Sequence, residues 1–263
     1  MTSLGLFAAA MTLASQPASP ARIQILTETQ SIQPGRPTWV AVRMDLEDDW
    51  HTYWQNPGET GQAPRFTWKL PENTKVEGPF FPAPVRYVDS DLTSFALFGS
   101  PVFLWRMNFP PTLKSSTVKI EVNARFLVCK ESCIPGAGQA SATLPITPRT
   151  ATLTGHAPTL KAAFAAIRRP AAGQVRIAKS GSNLILRVPE AVLGSALPSM
   201  EFDFFSAKPD VLTFVRPSAK WNGKTAELTL PLVGAAPARL TGLLSARVGE
   251  RSVDVWVDEP VRP

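Results

Sequence analysis

The sequence predicts an all-β protein: two immunoglobulin-like β-sandwich domains joined by a linker with one short helix. Three observations carry this. Of 263 residues, 26 are proline, about twice ordinary usage, which disfavours long helices and suits short strands joined by turns. Segment after segment alternates apolar and polar residues at period two between Pro, Gly and Asn punctuation. A single stretch spaces its apolar residues as a helix does. The hydrophobic content of 44%, with 14 Phe and 7 Trp, is enough for a real core and excludes a wholly disordered chain.

The elements follow in order. Leu4 to Ala14 is an apolar run too short to span a bilayer, followed by small residues. It predicts a signal peptide over 1–21, cleaved after Ala14, Ala18 or Ala21. No later stretch is long and apolar enough for a membrane span, so none is expected in the mature chain. The first unit, 22–148, opens with RIQILTETQSI and TWVAVRMDLE. In the second of these, Val40, Val42 and Met44 share one face, and Trp39, Ala41 and Arg43 the other. FTWKLP, PVFLWRMNF and STVKIEVNARFLVC are further strands, the last with Val118, Ile120, Val122, Ala124, Phe126 and Val128 at period two. Residues 149–170 form the linker, in which Leu160, Phe164 and Ile167 predict a helix over 158–169, stopped by Pro170. The second, smaller sandwich spans 171–263. It begins with a hairpin turning at Ser180-Gly181-Ser182-Asn183 and continues through EFDFFS, VLTFVRP, TAELTLPL, ARLTGLLSARV and SVDVWVDEPV.

Composition narrows function mainly by exclusion. The net charge is +6, with 27 Lys and Arg against 21 Asp and Glu. The signs are mixed, and the densest basic spot is Arg168–Arg169, so no nucleic-acid stripe is present. Two cysteines cannot build a disulfide-rich scaffold or a four-cysteine zinc site. His51 and His156, far apart in sequence, do not suggest histidine-based metal chemistry.

The sharpest feature is FLVCKESCIPG, residues 126–136. Extended backbone would hold the Cα atoms of Cys129 and Cys133 about 13 Å apart. A disulfide needs roughly 4.4–6.8 Å, so a bonded pair requires the chain to turn over Lys130-Glu131-Ser132. Pro135-Gly136 reads as a further turn just beyond. So small a ring gains only about 2 kcal/mol from loop closure, and a close pair suits exchange better than stapling. Three readings stand at this level: a reversible redox pair, a structural disulfide, or soft thiolate ligands for copper(I), with Met107 or Met200 assisting if the fold brought them close. Lys130 would favour a thiolate and Glu131 oppose it.

Two further segments are candidates. DDWHTYWQNPGETG, residues 48–61, gathers Trp50, His51, Tyr53 and Trp54 before a turn at Asn56-Pro57-Gly58. It reads either as a rigid aromatic corner over the core or as a rim around the cysteines. YVDSDLTSFALFG, residues 87–99, carries Asp89, Asp91, Phe95 and Phe98. It reads either as a loop anchored by aromatics or as a cap shielding the cysteines, with a carboxylate available for proton transfer.

WHTYWQNPGETG, FTWKLP, FPAPVRY and FLVCKESCIPG together resemble the N-terminal periplasmic region of the DsbD-type thiol:disulfide interchange family, in particular its ScsB-like branch linked to suppression of copper sensitivity. The anchors cover residues 50–136, and a weaker likeness reaches the FDFF segment at 202–205. The resemblance implies an immunoglobulin-like module in the periplasm that needs no cofactor. It implies that Cys133 forms mixed disulfides with thioredoxin-fold partners and that Cys129 resolves them. Phe95 or Phe98 would correspond to the aromatic of the family's cap loop. The sequence holds neither a multi-helix membrane region nor a C-x-x-C motif, so it is expected to be either a stand-alone module served by a separate membrane-embedded or thioredoxin-like electron donor, or a fragment of a longer protein.

Overall fold

The computed structural model describes residues 19–167, 174–194, 200–249 and 251–263. The expected signal peptide lies almost wholly outside the described residues, as do Arg168–Arg169 and the helix stop at Pro170. The all-β expectation holds. Ten strands precede the helix: β1 (Ala21–Thr27), β2 (Pro37–Leu46), β3 (His51–Gly58), β4 (Arg65–Lys69), β5 (Lys75–Phe80), β6 (Val85–Asp89), β7 (Leu92–Phe98), β8 (Val102–Asn108), β9 (Thr117–Cys129) and β10 (Cys133–Pro145). After α1 (Ala157–Ile167) come β11 (Arg176–Ser180), β12 (Asn183–Pro189), the single turn α2 (Glu190–Leu193), β13 (Glu201–Ser206), β14 (Ser218–Trp221), β15 (Thr225–Pro231), β16 (Arg239–Val248) and β17 (Arg251–Arg262).

The N-terminal half is two layers. One sheet has the order β1-β2-β8-β5; the other runs β10-β9-β3-β7-β6, with β4 also paired to β9. Period-two alternation fills the space between them, as the sequence indicates. Val40, Val42 and Met44 of β2 and Phe103, Trp105 and Met107 of β8 meet Val118, Ile120, Val122, Ala124, Phe126 and Val128 of β9.

The opposite face of the first sheet is covered too. Leu160 of α1 is buried with Leu26, Ala41 and Leu104, and the Phe164 ring lies 4.6 Å from that of Trp39. The helix expected in a linker therefore closes a second small core, because the alternation of β2 leaves Trp39 and Ala41 needing a partner.

The C-terminal half is one seven-stranded sheet, order β13-β16-β17-β11-β12-β15-β14. The long β17 pairs antiparallel with β16 and then parallel with β11 at Ile177↔Val261. The sheet wraps so that both of its ends line one core, with Leu244, Val255 and Val257 packed with Ile177, Leu186 and Leu228. The two halves share a core. Phe205 and Leu243 of the C-terminal half are buried in the N-terminal core, with Phe214 and Trp256 packed against it.

Four local expectations are corrected. Residues 48–61 are not a corner with a turn at Asn56-Pro57-Gly58; they run as β3 through Gly58, with a register irregularity against β7 between Tyr53 and Gly58. The segment expected as a loop over 87–99 is the β6–β7 hairpin. Its two central residues, Ser90 and Asp91, have φ of 49° and 67°, as a type I′ turn requires. VLTFVRP is not a strand. Preceded by Pro209, closed by Pro217 and entered through Asp210 at φ 59°, it keeps an isolated bridge between Leu212 and Leu232. Pro135-Gly136 does not turn the chain but lies inside β10. That strand ends the sheet order, and an edge strand tolerates proline.

Candidate functional site

β9 and β10 form a hairpin in which each strand has 13 residues, registered from Thr117↔Pro145 to Cys129↔Cys133. The chain turns over Lys130-Glu131-Ser132, as a bonded pair requires, and the Lys130 N–H donates to the Ser132 carbonyl at 3.2 Å. The cysteines thus face each other at the open tip of the hairpin as a disulfide, with Cα atoms 4.1 Å apart. Such closeness marks a non-hydrogen-bonded antiparallel pair. The two cysteines are not equivalent in access: Cys129 is 3% exposed, whereas Cys133 is exposed to solvent.

β3 supplies the floor. It crosses β9 at His51↔Cys129, and alternation then sends His51 and Tyr53 to the disulfide side and Trp54 to the core. The Tyr53 hydroxyl donates to Cys129 Sγ at 2.9 Å and lies 3.8 Å from Cys133 Sγ. Burial pushes the phenol of Tyr53 above its ordinary value, so it stays protonated and able to donate. Gly61 explains how the ring fits. Its φ is +96°, and a Cβ there would lie 2.0 Å from the Tyr53 ring. No side chain other than hydrogen leaves the ring in place.

An aromatic cover lies beside this floor. The His51 ring centroid is 5.3 Å from Tyr53, 5.0 Å from Tyr87 and 5.2 Å from Phe98, and Tyr87 meets Phe98 edge-on at 5.6 Å. Tyr87 comes from β6 and Phe98 from the end of β7, where Phe98 is 40% exposed. Burial holds the His51 imidazole below its ordinary pKa, with Asp89 partly opposing that. Neutral His51 is therefore the form that packs. Because its folded pKa is depressed, its contribution to stability is present above pH 6.5 and is lost as the pH falls through the folded value. The expected outcome is that a His51→Phe variant loses less of its thermal midpoint than the parent between pH 7 and pH 5. Equal acid losses in the two would show that the imidazole does not carry the effect.

Not every expected site residue gathers here. Cys129, Cys133, His51, Tyr53 and Phe98 do, and Asp89 is close enough to act on His51. Asp91 is exposed in the hairpin turn. Phe95 and Trp54 face the core instead, each packing edge-on against Phe205 at 5.0 and 6.2 Å. Lys130 is tied to Asp49 at 3.0 Å. That hydrogen bond raises its pKa, and the ammonium answers the aspartate rather than a sulfur. Tyr87, Gly61 and Asp49 are contributors that sequence reasoning passed over. Reading 48–61 as a strand would have put His51 and Tyr53 on one face; nothing in the spacing marks Asp49.

Among the described residues no group of three or more His, Cys, Asp or Glu side chains is placed to hold a metal. Met107 is buried in the N-terminal core and Met200 packs on the C-terminal one.

An all-β chain whose hairpin tip presents one buried and one exposed cysteine in a disulfide is built as a dithiol–disulfide module. Residues 22–145, which carry the site, match the family described as thiol:disulfide interchange protein DsbD, N-terminal. The chain also resembles the crystal structure of the N-terminal periplasmic domain of ScsB from Proteus mirabilis. The TM-score is 0.62 at 14% identity, over 95% of this chain and 96% of that one. At that identity the likeness is one of fold. A chimeric titin Z1Z2 structure aligns over 94% of this chain and 99% of its own with a TM-score of only 0.20 at 9% identity. No curated protein sequence matches the chain. No helix among the described residues is long and apolar enough to cross a membrane.

Proposed function

We propose that the protein is a periplasmic thiol–disulfide exchange module that passes electrons through the reversible Cys129/Cys133 pair to thioredoxin-fold partner proteins. The observation that carries this is the unequal pair: an exposed Cys133 bonded to a buried Cys129 that already receives a hydrogen bond from Tyr53, within the region that matches the interchange family. The proposed organisation is a signal peptide over 1–21, an immunoglobulin-like redox unit over 22–148, a connecting helix region over 149–170 and a second sandwich over 171–263.

In the reduced protein the Cys133 thiolate attacks a partner's disulfide. One partner sulfur joins Cys133 and the other leaves with the electron pair. The Cys129 thiolate then attacks Cys133 Sγ, re-forms the internal disulfide and releases the partner fully reduced. In the return direction a thiolate of a membrane-embedded or thioredoxin-like donor attacks Cys133 Sγ with Cys129 as the leaving group, and the donor's second thiolate then attacks the donor sulfur in that adduct, leaving the donor oxidised and both cysteines reduced. Tyr53 O–H lies where it stabilises the charge that appears on Cys129 in that step. Tyr87, Phe98 and His51 cover the pair between encounters, with Phe98 as the exposed aromatic of the cap.

The test is a redox titration of the purified protein against glutathione, or against dithiothreitol at the reducing end. The expected midpoint lies above about −300 mV, the range of exchangeable rather than structural disulfides. A midpoint well below that range would assign the pair a stapling role and end the exchange reading.

A further inference from the structure

The strands that build the disulfide site are fastened to the C-terminal half at two buried points. On β6, the Arg86 guanidinium meets Asp203 of β13 side-on, with Nη2 to Oδ1 at 2.6 Å and Nε to Oδ2 at 2.9 Å. Arg86 Nη1 also donates to the Phe214 carbonyl. The guanidinium carbon lies over the rings of Phe95 and Phe205 at 5.3 and 5.8 Å. The two charged side chains are only 7% and 12% exposed. On β3, the Asn56 side-chain amide, itself 1% exposed, donates to the Ser206 carbonyl at 2.9 Å and the Lys208 carbonyl at 3.3 Å.

Alternation gives this fastening its meaning. Arg86 and Tyr87 are neighbours on one strand and point to opposite faces. Arg86 is held inward by the C-terminal half while Tyr87 reaches His51 on the disulfide side. A buried bidentate pair adds little net stability, because desolvation offsets its attraction, but it defines orientation. We propose that Arg86 and Asp203 are positioning residues for the disulfide site. Through them the C-terminal half sets the placement of the β6–β7 hairpin, and so of Tyr87 and Phe98 against His51 and the Cys129–Cys133 pair. The inference rests on the exchange reading for its importance to function, but not for its test.

The experiment uses the purified full chain with Asp203→Asn, which removes the charge and keeps the shape. The control, Leu186→Ala, weakens the fully buried C-terminal core without touching the pair. The chain has two histidines, so His156→Gln assigns the imidazole proton resonances of His51. In Asp203→Asn the His51 resonances are expected to shift. Reduction of the folded disulfide by dithiothreitol is expected to quicken about fivefold or more, the scale of coupling between residues in one network. Leu186→Ala should change neither, even with a comparable loss of thermal stability. If Asp203→Asn does not fold, Arg86→Lys serves the same purpose, since an ammonium keeps the charge and loses the two-point geometry. Unmoved His51 resonances in a folded variant, or the same shift in Leu186→Ala, would overturn the inference. The resonances decide this whether or not a partner exchanges with the disulfide, so failure of the exchange reading is seen separately.

Discussion

Replacing Cys129 with Ser is expected to accumulate a mixed disulfide with an oxidised thioredoxin-fold partner, and Cys133→Ser at least about tenfold less, because exchange follows thiolate access. Both variants lose the same small loop constraint, roughly 2 kcal/mol, so a difference between them reads chemistry and not stability. Cys133 in the first variant is exposed and has no resolving thiol to release the adduct. Cys129 in the second is 3% exposed and is engaged by the Tyr53 hydroxyl, out of reach of an incoming sulfur. Non-reducing gel separation with mass spectrometry of the trapped species is the measurement, and the double variant should trap nothing. Equal adducts from the two single variants would remove the distinction between attacking and resolving cysteines.

A large loss of stability is expected at Gly61. An alanine there meets two penalties together, a φ of +96° and a Cβ 2.0 Å from the Tyr53 ring. The cost should be about 3 kcal/mol or more, the sum of left-handed backbone strain and overpacking. Gly99→Ala separates the two. Its φ is +69°, but nothing lies within 4 Å of an added Cβ, so only the backbone cost of about 1–2 kcal/mol applies. Denaturant midpoints of both variants, read at equal m-values, give the comparison. A Gly61→Ala loss no greater than that of Gly99→Ala would mean that the Tyr53 ring moves aside freely, and with it the hydrogen bond to Cys129.

The parts of the fold that the sequence made legible are those where one face of a strand meets one core. The alternation of β2 and β9 named both their buried faces, and Leu160 and Phe164 marked the buried stripe of the helix. The hairpin of β11 and β12 and its turn were equally plain. β10 was not, because Pro135, Gly136 and Gly138 lower its strand propensity. What holds it in the sheet is a register imposed by β9, with Gly136 beneath the Phe126 ring and Gly138 against Ile23. β3 was hidden for a different reason. A cluster of aromatics carries no clear alternation, and Asn56-Pro57-Gly58 looks like a turn until the Asn56 amide is seen bonded to the other half of the chain. Of the site, the cysteines and Tyr53 were visible from spacing and motif. The Arg86–Asp203 pair depends on a contact across 117 residues, and the place of Tyr87 on its contact with His51 of another strand; no local pattern records either.

The position of Pro135 bears on how long an encounter lasts. Cys129 and Cys133 are a non-hydrogen-bonded pair, and Pro135, two residues on, occupies the same kind of place, so its missing N–H falls on the outer rim of the sheet. A partner that approaches the exposed Cys133 meets a rim unable to offer a continuous row of donors. A strand added along this rim would lack the hydrogen bond that Pro135 cannot give, which weakens extension of the sheet there. For a carrier that must be freed after every transfer, this favours fast dissociation over tight complex formation.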